Sequence, residues 1–140
     1  MGNVERHRQA HEEFNRRDWD AIAQRFADDV TYTDHGRDVT AKSSQEMVEW
    51  LKAWPEMLSD AAVSEPTYYD AGQTSVAVFT GRGTNDGPLG PFPASGNRIS
   101  WPLCEILTWD SQGKATRGEL FYDQMTILVQ AGHMEAPPKA

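Results

Sequence analysis

One alternating segment, residues 99–109, constrains the fold of this chain more than any other. Every second residue in it is apolar, with a single carboxylate among them: Ile99, Trp101, Leu103, Glu105, Leu107 and Trp109. Because successive side chains of a β-strand point to opposite faces, the pattern predicts a strand with one buried apolar face. Glu105 then lies on the buried face, where its carboxyl group must be paired or must keep its proton near neutral pH.

Two interpretations of Glu105 follow from that position. Desolvation raises the pKa of a carboxyl group, so a buried Glu105 could give or take a proton at pH 7, as acid/base sites require. Alternatively, Glu105 stands at a strand end or forms a salt bridge with one of three arginines, Arg82, Arg98 or Arg117. The surroundings of Glu105 distinguish these interpretations.

Length and charge exclude several classes of protein. A chain of 140 residues with 39% hydrophobic residues has the size and composition of one globular domain. The net charge of -8 and the scattered 13 basic residues argue against nucleic acid and membrane surfaces as partners. The polar N-terminal segment does not resemble a signal peptide, so we expect a cytoplasmic protein. Cys104 is the only cysteine, which excludes an internal disulfide.

Helical patterns precede strand patterns along the chain. Apolar residues recur at helical spacing over residues 4–16, Asp18 is a candidate N-cap for a second helix, and Ser43 with Glu46 resembles a capping box before a third. Strands are predicted at residues 30–34, 63–69, 74–82, 98–109 and 116–122, followed by a short helix at 123–130. This order predicts an α+β domain with helices on one face of an antiparallel sheet.

Several segments resemble the nuclear transport factor two-like superfamily, which includes ketosteroid isomerases and SnoaL-like polyketide cyclases. They are Asp-Trp-Asp-Ala-Ile at 18–22, Phe-Ala-Asp-Asp-Val at 26–30 before Tyr-Thr-Asp at 32–34, and Asp-Ser-Gln-Gly-Lys at 110–114. The Gly/Pro-rich stretch 83–96 and the segment 118–132 resemble the SnoaL-like branch in particular. The resemblance covers roughly residues 3–132.

The resemblance implies a cone-shaped, curved antiparallel sheet with three N-terminal helices packed over it, a fold also described as cystatin-like. It implies a single SnoaL-like domain at 1–132, leaving 133–140 as a flexible tail. It further implies an interior hydrophobic pocket in which carboxylates transfer protons without a metal or organic cofactor. The outer face of the sheet is then the expected surface of a homodimer, which light scattering showing only monomer would contradict.

The resemblance also implies roles for three carboxylates. Asp34 matches the general base of the ketosteroid isomerases, and Glu105 matches the protonated acid with which those enzymes donate a hydrogen bond to the developing oxyanion. Asp123 matches the acid/base aspartate of the cyclases. Two positions depart from the pattern, because Ala10 replaces the oxyanion tyrosine of the isomerases and Asn85 replaces a histidine common in SnoaL-like proteins.

Aromatic residues are the candidate ligand-binding groups. They are Tyr32, His35, Trp54, Trp101 and Tyr122. Tyr32 shares a strand face with Asp34, while His35 could polarise or pair with Asp34. The alternatives are a solvated Asp-His-Gly turn at 34–36, tryptophans that only fill the core, and an Asp123 that caps the following helix. Strand parity alone does not say which face of residues 117–123 is inward.

His7 and His11 lie one helical turn apart and could in principle bind zinc. No third ligand follows at a suitable spacing, so we predict no metal.

The sequence therefore predicts a cofactor-independent enzyme that transfers protons on a small hydrophobic carbonyl compound, as in cyclisation, isomerisation or dehydration. Two alternatives remain: a non-catalytic ligand carrier or dimeric interaction module, and a water-activating enzyme similar to an epoxide hydrolase. An enzyme predicts that Asp34, Glu105 and Asp123 converge on one cavity. A carrier predicts an apolar cavity with those carboxylates elsewhere.

Overall fold

The helices come first and most strands second, as the sequence predicts. The computed structural model describes residues 1–139, which form four helices and six strands. In chain order these are α1 Asn3–Arg16, α2 Trp19–Arg25, β1 Phe26–Asp34, β2 Val39–Ala41, α3 Ser44–Met57, β3 Ala62–Ala71, β4 Thr74–Thr84, β5 Arg98–Trp109, β6 Ala115–Phe121 and α4 Gln124–Gln130. The strands make one curved, open sheet covered by helices, and the α+β fold class is confirmed.

Local sequence signals set the helix ends. The Asp18 side chain accepts a hydrogen bond from the backbone N–H of Ala21 and begins α2. The Ser43 side chain accepts from the backbone N–H of Glu46 and begins α3. Both side chains satisfy backbone donors that have no partner within the helix, which is the physical basis of the predicted caps.

The strand order is β2-β1-β6-β5-β4-β3. Strands β3 to β6 form an antiparallel meander, but β1 pairs with β6 in parallel. The sequence predicts an antiparallel sheet, and this one pair departs from that prediction. A parallel pair needs a long connection, and the whole segment between β1 and β6 supplies it. The short strand β2, which the sequence patterns do not reveal, pairs with the end of β1.

The alternation in β5 is confirmed. Its inward residues are buried, and the set includes Glu105, which is 8% exposed. On the outer face, Val78, Cys104 and Phe121 are register partners across three adjacent strands, and Val78 and Phe121 are exposed. A homodimer that uses this face stays a prediction.

Residue 118 shows why the inner face of β6 needs a glycine. A Cβ at Gly118 would lie 2.2 Å from Cδ2 of Tyr32, so any side chain there would displace the buried tyrosine ring. Leu120 is buried on the same face, which settles the parity of β6. The inward residues are therefore 118, 120 and 122.

The predicted tail begins at a residue that packs on the domain. The ring of His133 stacks on Phe92 with 4.8 Å between centroids, and its Nε2 lies 3.1 Å from Oδ1 of Asn85. The last residue of that predicted tail, Ala140, lies outside the described residues. Over residues 1–139, no helix has the length and apolar character needed to cross a membrane.

Candidate active site

An apolar cavity lies between the helices and the inner face of the sheet. Its empty volume is about 680 Å³ including the mouth, and its lining contains aromatic rings from α1, α3, β4 and β5. These rings belong to Phe14, Trp50, Trp54, Phe79 and Trp101. Among the lining residues that the structure describes, the two titratable side chains are His11 and Glu105.

The Glu105 carboxylate accepts three hydrogen bonds. His7 Nε2 lies 2.8 Å and His11 Nε2 lies 2.7 Å from Oε1, and the Tyr32 hydroxyl donates to Oε2. We call these four side chains the Glu105 cluster. Glu105 is thus buried and paired, but its partners are histidines and a tyrosine rather than the arginines considered from the sequence.

Ser75 fixes the tautomer that we assign to His7. The indole N–H of Trp109 donates to Ser75 Oγ over 2.9 Å, and Ser75 Oγ lies 2.7 Å from His7 Nδ1. Because an indole nitrogen can only donate, the hydroxyl hydrogen of Ser75 remains available for His7 Nδ1. His7 then carries its hydrogen on Nε2 and donates it to Glu105 while the ring is neutral.

Hydrogen bonds make Glu105 a stable anion. Burial by itself would raise the pKa of Glu105, but the hydrogen bonds from His11 and His7 outweigh it and lower the pKa well below its usual range. The lowered pKa and the three donors argue against a Glu105 that keeps its proton and donates it to an oxyanion, and that role stays a prediction. Burial lowers the pKa of His7, whereas burial and the Glu105 charge raise the pKa of Tyr32 far above its usual value.

His11 connects the cavity with the protein surface. Its Nδ1 lies 2.7 Å from the hydroxyl of Tyr68, and both residues also border an open groove that includes Arg8 and Arg82. Burial raises the pKa of Tyr68, so this hydroxyl keeps its proton and can donate it to His11. A chain of hydrogen bonds therefore runs from Glu105 through His11 to the groove.

Asp34 is buried in a different place. Its Oδ2 accepts hydrogen bonds from Trp50 Nε1 and the Tyr122 hydroxyl, each over 3.0 Å, and its Oδ1 accepts from the backbone N–H of Arg37. The guanidinium of Arg37 lies 3.6 Å from Oδ2. We call this set the Asp34 cluster. Asp34 and Tyr122 are not among the described residues that line the cavity, although their neighbours Trp50 and Trp54 are.

Asp123 and His35 lie away from the cavity. Asp123 is exposed and caps α4, accepting from the backbone N–H of Met125 and the hydroxyl of Thr126. His35 is also exposed and lies 3.0 Å from Glu119. Each of the two follows an inward-facing residue of its own segment, so strand parity directs both outward. The expected convergence of Asp34, Glu105 and Asp123 on one cavity is therefore wrong, and Glu105 alone of the three lines it.

Sequence reasoning missed the partners of Glu105. The spacing of His7 and His11 put both rings on one face of α1, and the alternation in β5 put Glu105 inward, so each half of the site had a signal. Glu105 is 98 residues from His7 and 94 residues from His11 in sequence, and only the packing of α1 on the sheet brings them together. Ser75 and Tyr68 carried no signal of their own.

The Glu105 cluster also contains a possible metal-ligand set. His7, His11 and Glu105 each offer a ligand atom, and these atoms lie within 4.8 Å of one another, a combination that iron or zinc can use. Metal at Nε2 of His7 would move the ring hydrogen to Nδ1, facing Ser75. The fully buried hydroxyl of Ser75 would then lose the acceptor for its own hydrogen. The arrangement fits hydrogen bonding better, and the absence of a metal stays a prediction.

Comparison with protein families gives the class. The model of the SnoaL-like domain matches residues 7–118, which is most of the chain. The protein therefore belongs to the SnoaL-like domain family. A search of curated proteins finds no match.

Solved structures agree on the fold. AclR from Streptomyces galilaeus, a proposed hydroxylase, is 20% identical with a TM-score of 0.83, covering 98% of this chain and 85% of AclR. A proposed SnoaL-like polyketide cyclase from Jannaschia sp. CCS1 is 18% identical with a TM-score of 0.84, and the match covers 97% of this chain and 93% of the cyclase. A protein with a ketosteroid isomerase-like fold from Catenulispora acidiphila, solved with trimethylamine, is 19% identical with a TM-score of 0.77. The match covers 91% of this chain and 93% of that protein.

Proposed function

We propose that this protein is a cofactor-independent enzyme that binds a hydrophobic carbonyl compound in the cavity and transfers a proton on it. The observation that carries the proposal is the pair His11 and Glu105, which are hydrogen-bonded to each other and line an otherwise apolar cavity. The names of several structural neighbours, which include proposed polyketide cyclases, support the same class of substrate.

His11 is the proposed base. An imidazole can accept a proton near neutral pH, whereas the Glu105 carboxylate is held as a weakly basic anion by its three hydrogen-bond donors. Because Nε2 of His11 carries the hydrogen that Glu105 binds, Nδ1 is the nitrogen that accepts. The negative charge of Glu105 then stabilises the imidazolium, as a buried aspartate does in hydrolase triads.

Tyr68 provides the proposed route between His11 and solvent. In the resting state its hydroxyl donates to Nδ1 of His11. Because Nδ1 has a single in-plane lone pair, the Tyr68 hydroxyl must turn away from it before a substrate C–H can reach this nitrogen. Once Nδ1 is protonated and the substrate has moved off, the hydroxyl oxygen returns and accepts from the ring, with its own hydrogen directed toward the groove. A proton taken from a carbon next to the substrate carbonyl can thus leave the cavity, or return to another atom of the enolate.

A second candidate is a ligand carrier without catalysis. It is favoured by two observations: Asp34 and Asp123 lie outside the cavity lining, as expected of a carrier, and every oxygen of Glu105 already has a protein donor, so the cluster is complete without a ligand. A carrier keeps the cavity and its aromatic walls but does not accelerate proton transfer. The two candidates therefore differ in a measurable rate.

Hydrogen–deuterium exchange of 2-tetralone, a bicyclic ketone with acidic hydrogens next to its carbonyl, distinguishes them. The protein is incubated with the ketone in D₂O, and deuterium incorporation is followed by NMR. We expect exchange faster than in buffer, and a rate reduced about 100-fold in His11→Gln, whose amide keeps a donor near the position of Nε2 but cannot act as a base.

The matched control is His35→Gln, which removes an exposed histidine outside the cavity. It is expected to exchange at the wild-type rate. Wild-type exchange no faster than in buffer, with 2-tetralone still bound in equilibrium dialysis, would favour the carrier. Equal rates in His11→Gln and wild type would remove His11 from the proposal.

A further inference from the structure

Trp101 carries a buried donor that has no partner. The residue is 4% exposed, and among residues 1–139 its Nε1 finds no hydrogen-bond acceptor. An indole N–H usually finds a partner when it is buried, because leaving it unpaired costs the full desolvation of the group. An unpaired donor in a cavity wall is therefore a place where a ligand can gain a hydrogen bond that water does not supply.

Two other tryptophans show the usual behaviour. The indole of Trp109 donates to Ser75, and that of Trp50 donates to Asp34. Both donors satisfy a named oxygen within the protein. Trp101 differs from them although it lies on the same strand face as Trp109.

The ring of Trp101 forms part of the cavity wall, but its Nε1 has almost no exposed surface, so an acceptor oxygen reaches it only when the ring or a neighbour shifts. The ring lines the cavity and stacks on Trp54, with 5.6 Å between centroids and 23° between planes. Gly81, its register partner on β4, also lines the cavity. A Cβ at Gly81 would lie 2.8 Å from Cζ2 and 2.9 Å from Cε2, the carbon bonded to Nε1. Glycine at position 81 therefore lets the Trp101 ring lie against the β4 backbone, and any side chain there would push the ring out of its place.

We propose that Trp101 Nε1 donates a hydrogen bond to an acceptor oxygen of the ligand in the cavity. An indole nitrogen cannot accept, so the ligand must present an oxygen with a free lone pair at this point. The apolar lining favours a neutral oxygen such as that of a ketone, quinone or ester over a carboxylate.

The position of Trp101 also sets the shape of the substrate. Trp101 and Glu105 face inward from the same strand, four residues apart, which corresponds to about 13 Å between their backbones. A substrate that meets both Trp101 and the His11–Glu105 pair is therefore elongated, with an acceptor oxygen several bonds from the reacting carbon, as in a polycyclic ketone. This extension to the substrate rests on the proposed function, whereas the hydrogen bond from Trp101 does not need catalysis.

Two flat probes that differ in one group test the hydrogen bond. 9-Fluorenone carries a ketone oxygen where fluorene carries a CH₂ group. The measurement reports binding and not proton transfer, because fluorenone has no hydrogen next to its carbonyl and fluorene has no carbonyl. Affinities of both probes are measured by equilibrium dialysis for the wild type and for Trp101→Phe. We expect the ratio of fluorenone affinity to fluorene affinity to fall about tenfold in the variant, with fluorene affinity nearly unchanged.

A measurement on the unmodified protein covers the case in which Trp101→Phe does not fold. In a ¹H–¹⁵N NMR spectrum, fluorenone should move the indole N–H resonance of Trp101 downfield, and fluorene should not. The indole of Trp109, already bonded to Ser75 and outside the cavity lining, is the internal control.

The outcomes separate this inference from the proposed function. An unchanged affinity ratio in a folded Trp101→Phe, or an indole resonance of Trp101 that responds equally to both probes, would overturn the inference and leave the proposed function standing. If neither probe binds the wild type, the inference about Trp101 is overturned, while the proposed function is still decided by the binding and exchange of 2-tetralone. Loss of 2-tetralone exchange without any change in the affinity ratio concerns the catalytic proposal alone.

Discussion

Two carboxylates are buried on the inner side of this fold, and they differ in what surrounds them. Glu105 lies in the middle of β5 and is bonded to two histidines of α1 and to Tyr32. Asp34 lies at the end of β1 and is bonded to Trp50, Tyr122 and the backbone of Arg37. Each carboxylate has three donors, yet only Glu105 lines the cavity.

The contrast shows that burial does not by itself identify a catalytic carboxylate. Trp and Tyr donors do not exchange protons near pH 7, so the Asp34 cluster fixes positions: it ties the end of β1 to α3 and to the residue after β6. Histidine does titrate near pH 7, so the Glu105 cluster can change its proton content. The two properties that separate the clusters are contact with the cavity and a titratable partner.

Neutralising each carboxylate is expected to give the largest effect. Glu105→Gln and Asp34→Asn remove a charge but keep the size of the side chain, and each leaves buried donors without an anionic acceptor. We expect each to lower the free energy of unfolding by about 3 kcal/mol or more, measured by urea denaturation. Where the variants remain folded, 2-tetralone exchange should fall about 100-fold in Glu105→Gln and stay within about threefold of wild type in Asp34→Asn.

The difference in exchange between the two variants decides whether the clusters have separate roles. If Asp34→Asn loses exchange as fully as Glu105→Gln does, then Asp34 takes part in the chemistry, and its place outside the cavity lining does not exclude it. Equal loss would return Asp34 to the role of base that the family resemblance implied.

Local sequence signals predicted individual helices and strands but not the contacts between elements that are distant in sequence. The alternation in β5 and the caps at Asp18 and Ser43 depend on neighbouring residues, and they appear in the structure as predicted. The pairing of β1 with β6 joins two segments that are far apart in the chain, and the contact of His7 with Glu105 depends on how α1 packs on the curved sheet. No residue next to them in sequence reports that packing.

The position of Asp123 has a similar explanation. The family resemblance placed an acid/base aspartate at this position, and the sequence left the inward face of β6 undecided. The close contact of Gly118 with Tyr32 and the burial of Leu120 direct Asp123 outward, where it caps α4. A match at one position transfers a role only if the strand parity is the same.

Removing one hydroxyl donor from each cluster gives a smaller effect and a test of solvent access. Tyr32→Phe takes a donor from Glu105, and Tyr122→Phe takes one from Asp34. Tyr32 is 1% exposed, so water cannot replace its hydroxyl, and we expect a loss of about 2 kcal/mol in unfolding free energy. Tyr122 is only partly buried, and water can reach the gap, so we expect about 1 kcal/mol.

Urea denaturation of both variants under identical conditions provides the values. A larger loss in Tyr122→Phe than in Tyr32→Phe would contradict the view that the Glu105 cluster is the more strongly desolvated of the two. In that case the interior of the cavity would contain exchangeable water next to Glu105.

The smallest expected effect is a pH dependence that belongs to the Glu105 cluster alone. Burial lowers the pKa of His7 in the folded protein below the ordinary value of about 6.5 for the unfolded chain. Between those two pKa values the unfolded chain binds a proton that the folded chain does not, so folding stability rises with pH. The stability linked to His7 is therefore complete above about pH 6.5 and declines as the pH falls toward the folded pKa.

Urea denaturation at pH 7.5, 6.5 and 5.5 measures this slope, which for one proton cannot exceed about 1.4 kcal/mol per pH unit. His7→Gln should flatten it, and His35→Gln, which removes an exposed histidine outside both clusters, should not. Glu105 does not contribute to this slope, since its lowered pKa affects stability only below about pH 5, where the carboxyl groups of the unfolded chain begin to bind protons. An unchanged slope in His7→Gln would mean that folding leaves the pKa of His7 unshifted and would contradict the prediction, whereas a steeper rise of stability with pH in the variant than in the wild type would mean that His7 is charged in the folded protein. Glu105 would then be half of a buried ion pair rather than an anion held by neutral donors, and the electrostatic contrast with Asp34 would disappear.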